Sequence, residues 1–266
     1  MTPLKLAAQD SLTMLGRELK HTIRYPMMLI TSILTPVVML LLFVYILGGP
    51  IGHEIGDGAR GAPYVDFLAP GILMMTVAAA SSTTAINVCT DMTGGIIDRF
   101  RTMAVSRGAV LTGHVGTYLV RTLVNTAFVT GVALLAGFRP HASVAGWFAV
   151  IGIIMAFSFA LAWLSAALGL VTKSIAGANS STLPILFLLP FLSSAFVPAA
   201  SMPAGVRWFN AHQPFTPVVD TLRALLTGAS AGHAAYLALA WCAGIALVGY
   251  LWARAAFGRG ARVGAQ

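Results

Sequence analysis

In 266 residues this chain carries 58% hydrophobic and only 9% charged side chains, with 16 Lys/Arg against 8 Asp/Glu. A globular domain has roughly 25% charged residues, so a mean hydropathy of +0.84 makes lipid the solvent for most of the sequence. The surplus of +8 is spread along the chain rather than clustered on one basic face, and Cys89 and Cys242 make neither a disulfide framework nor a zinc site. A nucleic-acid binder, a secreted enzyme and a disordered regulator are excluded together.

In chain order, Leu4, Ala8, Leu12, Leu15, Leu19 and Ile23 recur at steps of three and four, with Asp10, Arg17, Glu18 and Lys20 elsewhere around the wheel. Such a stripe on an otherwise polar segment predicts a helix over 1–26 lying in the membrane interface. Six stretches then reach the length of about 20 residues that a bilayer requires. They cover about 27–47, 67–90, 115–137, 146–172, 175–202 and 234–253, and Arg121 is the one charge inside any of them. With the N-terminus inside, inner segments hold Lys5, Arg17, Lys20, Arg24, Arg99, Arg101, Arg107, Lys173, Arg254, Arg259 and Arg262, and outer ones only Arg60, Arg139, Arg207 and Arg223. Short Lys/Arg-rich loops stay cytoplasmic, so both termini are expected inside. The expected fold is an all-α membrane protein of six transmembrane helices. An interfacial helix (1–26) precedes the membrane domain (27–257), and a cytoplasmic tail (258–266) follows it.

In the second span, Ser81, Ser82, Thr83 and Thr84, followed by Asn87, either line a polar path or let helices pack closely. The inner loop that follows puts Ile96, Ile97, Phe100, Met103 and Ala104 on one helical face and Asp98, Arg99 and Arg101 on the other. A two-faced helix at a membrane exit is either a docking element for a cytoplasmic partner or an ordinary interfacial loop. Arg121 either snorkels to the cytoplasmic edge or pairs with Asp91 or Asp98. The fifth span is interrupted by Pro184, Pro190 and Pro198, which predicts a helix that stops short and a re-entrant or surface-lying outer hairpin. Within that hairpin Thr216 can cap and Pro217 open an amphipathic helix bearing Val218, Val219, Leu222, Leu225 and Leu226, with Gly228 after its last turn. Asp220 and Arg223, three residues apart, form a surface pair worth a few tenths of a kcal/mol. Trp208, Phe209 and Phe215 suit an interface belt.

These residues carry a resemblance to the permease subunits of type-2 ABC exporters, most closely the daunorubicin-resistance-like subgroup. It covers nearly the whole chain and includes the Gly94-Gly-Ile-Ile-Asp-Arg99 loop ending in Val105-Ser-Arg107. Its most specific feature is the outer run from Met202 to Leu226, with Pro214, Asp220 and Arg223 at the family's Pro-x5-Asp-x2-Arg spacing. Ala104 stands where the family usually has Pro. The resemblance implies that the inner loop is a coupling helix gripping an ATP-binding subunit through Gly95, Ile97, Asp98, Arg99, Phe100, Arg101, Ser106 and Arg107. It also implies a homo- or heterodimer of permeases above two ATPase subunits. ATP and Mg would lie on the partner and no cofactor on this chain. The expected function is ATP-driven export of a hydrophobic drug, antibiotic or lipid-like molecule across a bacterial inner membrane.

The chain itself shows no catalytic equipment. No G-x-x-x-x-G-K-[ST] phosphate loop and no H-E-x-x-H occur. Gly228-Ala-Ser230-Ala-Gly232 matches G-x-S-x-G, but no strand precedes it as a nucleophile elbow requires. The competing class, an ion-coupled secondary transporter or channel, would show carboxylates within its spans. All eight acidic residues lie outside the spans or at their ends.

Overall fold

The computed structural model describes residues 26–47, 64–94 and 107–263, and among these every regular element is helical. α1 runs Pro26–Leu42 and continues into a wider π turn, Phe43–Leu47. α2 spans Tyr64–Thr93, α3 Arg107–Leu135 and α4 Val144–Val171. α5, Ile175–Leu183, passes through a second π turn, Pro184–Leu188, to a final turn at Leu189–Phe191. Two short helices, α6 (Ala204–Ala211) and α7 (Phe215–Leu226), precede the long α8, Gly232–Val263.

Among the described residues four stretches are long and apolar enough to cross a bilayer: Tyr64–Thr93, Leu111–Leu135, Val144–Val171 and Gly232–Ala256. They coincide with the second, third, fourth and sixth predicted spans to within a few residues. α1 carries a shorter apolar helix, Ser32–Ile46, within the first. α8 runs on to Val263, into the segment expected as a tail. The predicted interfacial helix lies outside the described residues.

In the fifth predicted span, 175–202, the helix stops short at Phe191, and 192–202 forms turns and a short 3-10 helix, Ala199–Ser201. Pro184 and Pro190 supply no amide hydrogen, so two rungs of the helix ladder are missing. Ser193 then ends the helix by donating to the Pro190 carbonyl at 2.6 Å while its hydroxyl oxygen accepts from the Ala195 amide at 3.1 Å. Where α4 and α5 begin, Ser143 and Ser174 do the opposite. Each hydroxyl accepts a 3.1 Å bond from the amide three residues on, satisfying a free donor of the first turn.

α2 is the hub. In its most apolar window 72% of residues are buried, against 17% for α8. Leu68, Ile72, Met74, Met75, Val77 and Ala78 form the middle of the core with Phe157, Leu161, Phe215, Val218 and Leu222. α8 packs on α4, where Gly249 lets the backbones touch: a Cβ there would lie 2.7 Å from the Leu164 amide nitrogen. Trp163 and Tyr250 meet edge to face beside it, with centroids 5.0 Å apart. The rest of α8 exposes Leu237, Leu239, Leu247, Val248, Leu251 and Trp252, a surface that suits hydrocarbon and not water.

The helices run antiparallel, so the molecule has two ends. The starts of α2 and α4 and the end of α3 make the upper one. The end of α2 and the starts of α3 and α5 make the lower. α7 rises along α4 toward the upper end. Its last turn is tied to the α3–α4 loop by the bond from the His141 amide to the Leu226 carbonyl, 2.9 Å, and its first residue, Phe215, meets Phe157 edge-on at 5.0 Å. Phe157 lies 13 residues beyond Val144, about 20 Å at 1.5 Å per residue. The outer segment is therefore inserted into the bundle beside α4. α7 begins at Phe215, so Thr216 sits inside it rather than capping it, and Pro217 is its third residue. Its far end is as expected: Gly228 adopts φ +76°, the left-handed conformation that closes a helix.

Candidate functional site

The polar run of the second span divides between two surfaces. Ser81, Ser82 and Thr84 are buried, and the Ser81 hydroxyl donates to the Ala78 carbonyl at 2.6 Å. Ser82 and Thr182 share a 2.6 Å hydroxyl–hydroxyl bond that fastens α2 to α5. The Ser82 bond is of the kind that small hydroxyl-bearing residues make between membrane helices. Thr83 and Asn87 point elsewhere: they are half-buried, with Thr90 exposed on the same face of α2. On α5, Asn179 and Ser180 are exposed one turn before Thr182. Polar groups thus remain on the surface of helices that are otherwise apolar.

At the upper end the Asp220–Arg223 pair is more than the surface ion pair expected from its spacing. The carboxylate accepts from Arg223 at 3.0 Å and from the Ser194 hydroxyl at 2.7 Å. The same guanidinium donates to the Ser194 carbonyl at 2.7 Å and the Phe67 carbonyl at 3.3 Å, and it stacks 4.1 Å above the Phe67 ring. α7 is thereby joined to the start of α2 and to the turn that ends α5. Burial draws the Arg223 guanidinium below its ordinary pKa, and Asp220 opposes that shift by charge and hydrogen bond. Nearby, Asp66 accepts from the Arg139 amide at 2.9 Å, tying α2 to the α3–α4 loop. Pro214, the third residue of the spacing, occupies the N-cap position of α7.

At the lower end Asp91, in the last turn of α2, bonds His114 of α3 with Nε2 and Oδ2 3.1 Å apart. Both side chains are almost sealed, at 12% and 5% exposure. Arg121 is buried within the bundle at 7%. His114 escaped the sequence reading, since a lone His 23 residues from its partner has no periodic signal. Of the residues expected to dock an ATPase, Gly95, Ile97, Asp98, Arg99, Phe100, Arg101 and Ser106 lie outside the described residues, and Arg107 opens α3. Among the described residues no three His, Cys, Asp or Glu side chains converge as metal ligands would.

A family model described as ABC-2 type transporter matches residues 9–227, 219 of the 266. The chain belongs to this family. The match takes in the lower-end segment and the whole Asp220–Arg223 cluster, and it stops before α8. This ABC-2 permease is 28% identical over 242 residues to the daunorubicin resistance ABC transporter permease protein DrrB1 of Streptomyces coeruleorubidus, covering 91% of this chain and 83% of that protein. It is 23% identical over 247 residues to the probable doxorubicin resistance ABC transporter permease protein DrrC of Mycobacterium tuberculosis, covering 92% and 86%. The inner membrane transport permease YadH of Escherichia coli is 26% identical over 209 residues, covering 77% and 78%. The apolar surface of α8 and the four long apolar helices agree with a multi-pass membrane permease.

Proposed function

We propose that this ABC-2 permease is the membrane half of an ATP-driven exporter for a hydrophobic or amphipathic molecule. A separate ATP-binding subunit, in two copies, docks on the segment from Gly95 to Arg107. The full protein crosses a bacterial inner membrane six times, with α1 and α5 completing the set and the lower end, both termini and that segment in the cytoplasm. The observation that carries this reading is the family match over residues 9–227, which holds every element from the lower-end segment to the inserted outer helix. Drug-resistance names among the relatives support the substrate class. The eleven-to-four Lys/Arg asymmetry across the spans supports the orientation.

A second permease subunit packs against the face of α2 and α5 that carries Thr83, Asn87, Asn179 and Ser180, because those polar groups would face lipid in a lone chain. ATP and Mg act on the partner, and this chain supplies no hydrolytic group. A second reading, an ion-coupled transporter, draws its support from the buried Asp91–His114 pair. That pair sits in the last turn of α2, however, rather than mid-span where an ion relay would be placed.

The deciding experiment reconstitutes the chain with its ATPase in vesicles lacking any ion gradient and follows both ATP hydrolysis and substrate movement. Transport that requires ATP and the second protein supports the exporter. Transport driven by a proton or sodium gradient without ATP replaces it with the second reading.

A further inference from the structure

We propose that the Asp91–His114 bond is a mechanical joint that makes α2 and α3 move as one body when the segment between them is displaced, so that these two residues set how much transport each ATP yields. This rests on the reading of residues 95–106 as the ATPase-docking segment. Both ends of that segment enter described helices: α2 ends at Thr93 and α3 begins at Arg107. A partner gripping the segment therefore loads both stems at once.

Two side chains one turn apart on α3 hold it to α2. Tyr118 donates to the Val77 carbonyl at 2.7 Å in the interior, and His114 bonds Asp91 at 3.1 Å close to the stems. The first fixes the helices deep in the bundle. The second fixes them where a load would enter. Beside it Val88, Leu111 and Val115 are apolar, and the Cys89 thiol reaches the Thr172 carbonyl of the α4 terminus at 3.5 Å. Apolar contacts slide, whereas a charge-assisted hydrogen bond in a dry site fixes distance and direction. Without the joint the stems can separate, and displacement of the segment is absorbed there instead of reaching the spans.

The test uses the full complex with its ATPase in vesicles. His114→Ala, Asp91→Ala and the double variant are compared for complex yield, ATP hydrolysis and substrate moved per ATP. The joint predicts normal yield, retained hydrolysis and at least an approximately fivefold fall in substrate per ATP, the lower end of a coupling effect between sites. The double variant should fall no further than Asp91→Ala, because that single change already removes the bond. His114→Gln, whose amide can still donate to the carboxylate, should recover part of the ratio.

A residue that merely stabilises the fold would lower yield and leave the ratio alone. If the alanine variants assemble poorly, Asp91→Asn is read in their place: an intermediate ratio supports the joint, and an unaltered ratio overturns it. An unaltered ratio in well-assembled His114→Ala also overturns it. Failure of the unaltered chain to bind any ATPase removes the exporter reading itself and is seen before any variant is made.

Discussion

The guanidinium of Arg223 stacks 4.1 Å above the ring of Phe67, at the point where the inserted helix α7 meets the start of the hub helix α2. One side chain thus reads three elements at once, since its other bonds go to Ser194 and to Asp220. Arg is suited to this position because a planar fork can stack and donate in several directions, which a lysine cannot.

Replacing Arg223 by Ala should destabilise the permease by about 2–4 kcal/mol, the sum of charged hydrogen bonds left unmade and a lost cation–π contact. Arg223→Lys should fall between, and Ser194→Ala should cost about 1 kcal/mol. Thermal unfolding in detergent, followed by size-exclusion chromatography, gives the order. Equal melting temperatures for Arg223→Ala and the unaltered chain would show that α7 is held by its apolar face alone.

Two glycines should respond to the same substitution with opposite signs. A Cβ at Gly249 meets the Leu164 backbone at 2.7 Å, where nothing can yield, whereas Gly152 of α4 has nothing within 4 Å. Gly249→Ala is expected to cost about 1–3 kcal/mol by overpacking. Gly152→Ala should be neutral or gain about 0.5–1 kcal/mol, the usual advantage of Ala within a helix. The same thermal assay on both variants checks the contrast.

Orientation is accessible by cysteine labelling after Cys89 and Cys242, both buried, are replaced by alanine. An impermeant reagent added to intact cells should reach cysteines at His141, exposed at the upper end, and at Ser230 in the turn before α8. It should miss cysteines at Lys173 and Phe100. Labelling of Lys173→Cys from outside would invert the topology.

Docking of the ATPase is tested by the variant Arg99→Glu/Arg101→Glu/Phe100→Ala. Charge reversal at a partly desolvated contact, with loss of an aromatic anchor, should weaken assembly by about 1–3 kcal/mol, or roughly 5- to 150-fold. Insertion of the spans should be unaffected. Co-purification and export in cells are the readouts, and normal values of both would remove the coupling role from this segment. Purified without an ATPase, the unaltered chain should hydrolyse no ATP, for want of a phosphate loop. Turnover in a preparation shown by mass spectrometry to be free of ATPase would contradict that expectation.

The sequence by itself determined which stretches stay apolar over the length of a bilayer. A long unbroken helix satisfies its own backbone groups, which suits such a run to hydrocarbon. The four long apolar helices accordingly fall where Phe67–Thr90, Val115–Gly137, Gly146–Thr172 and Ala234–Ala253 place them. Proline placement told in advance that the fifth run would break, since a missing donor is a local property.

The tertiary structure decided which polar residues have partners. Asp220 and Arg223 look like a weak surface pair at their sequence spacing, and they become a junction only because Ser194 and Phe67 arrive from 26 and 156 residues away. Ser82 meets Thr182 and Asp91 meets His114, each across a separation that no periodicity records. Helix positions follow from transfer energies of consecutive residues. Side-chain bonds between helices depend on how those helices are rotated and paired, and only the folded bundle fixes that.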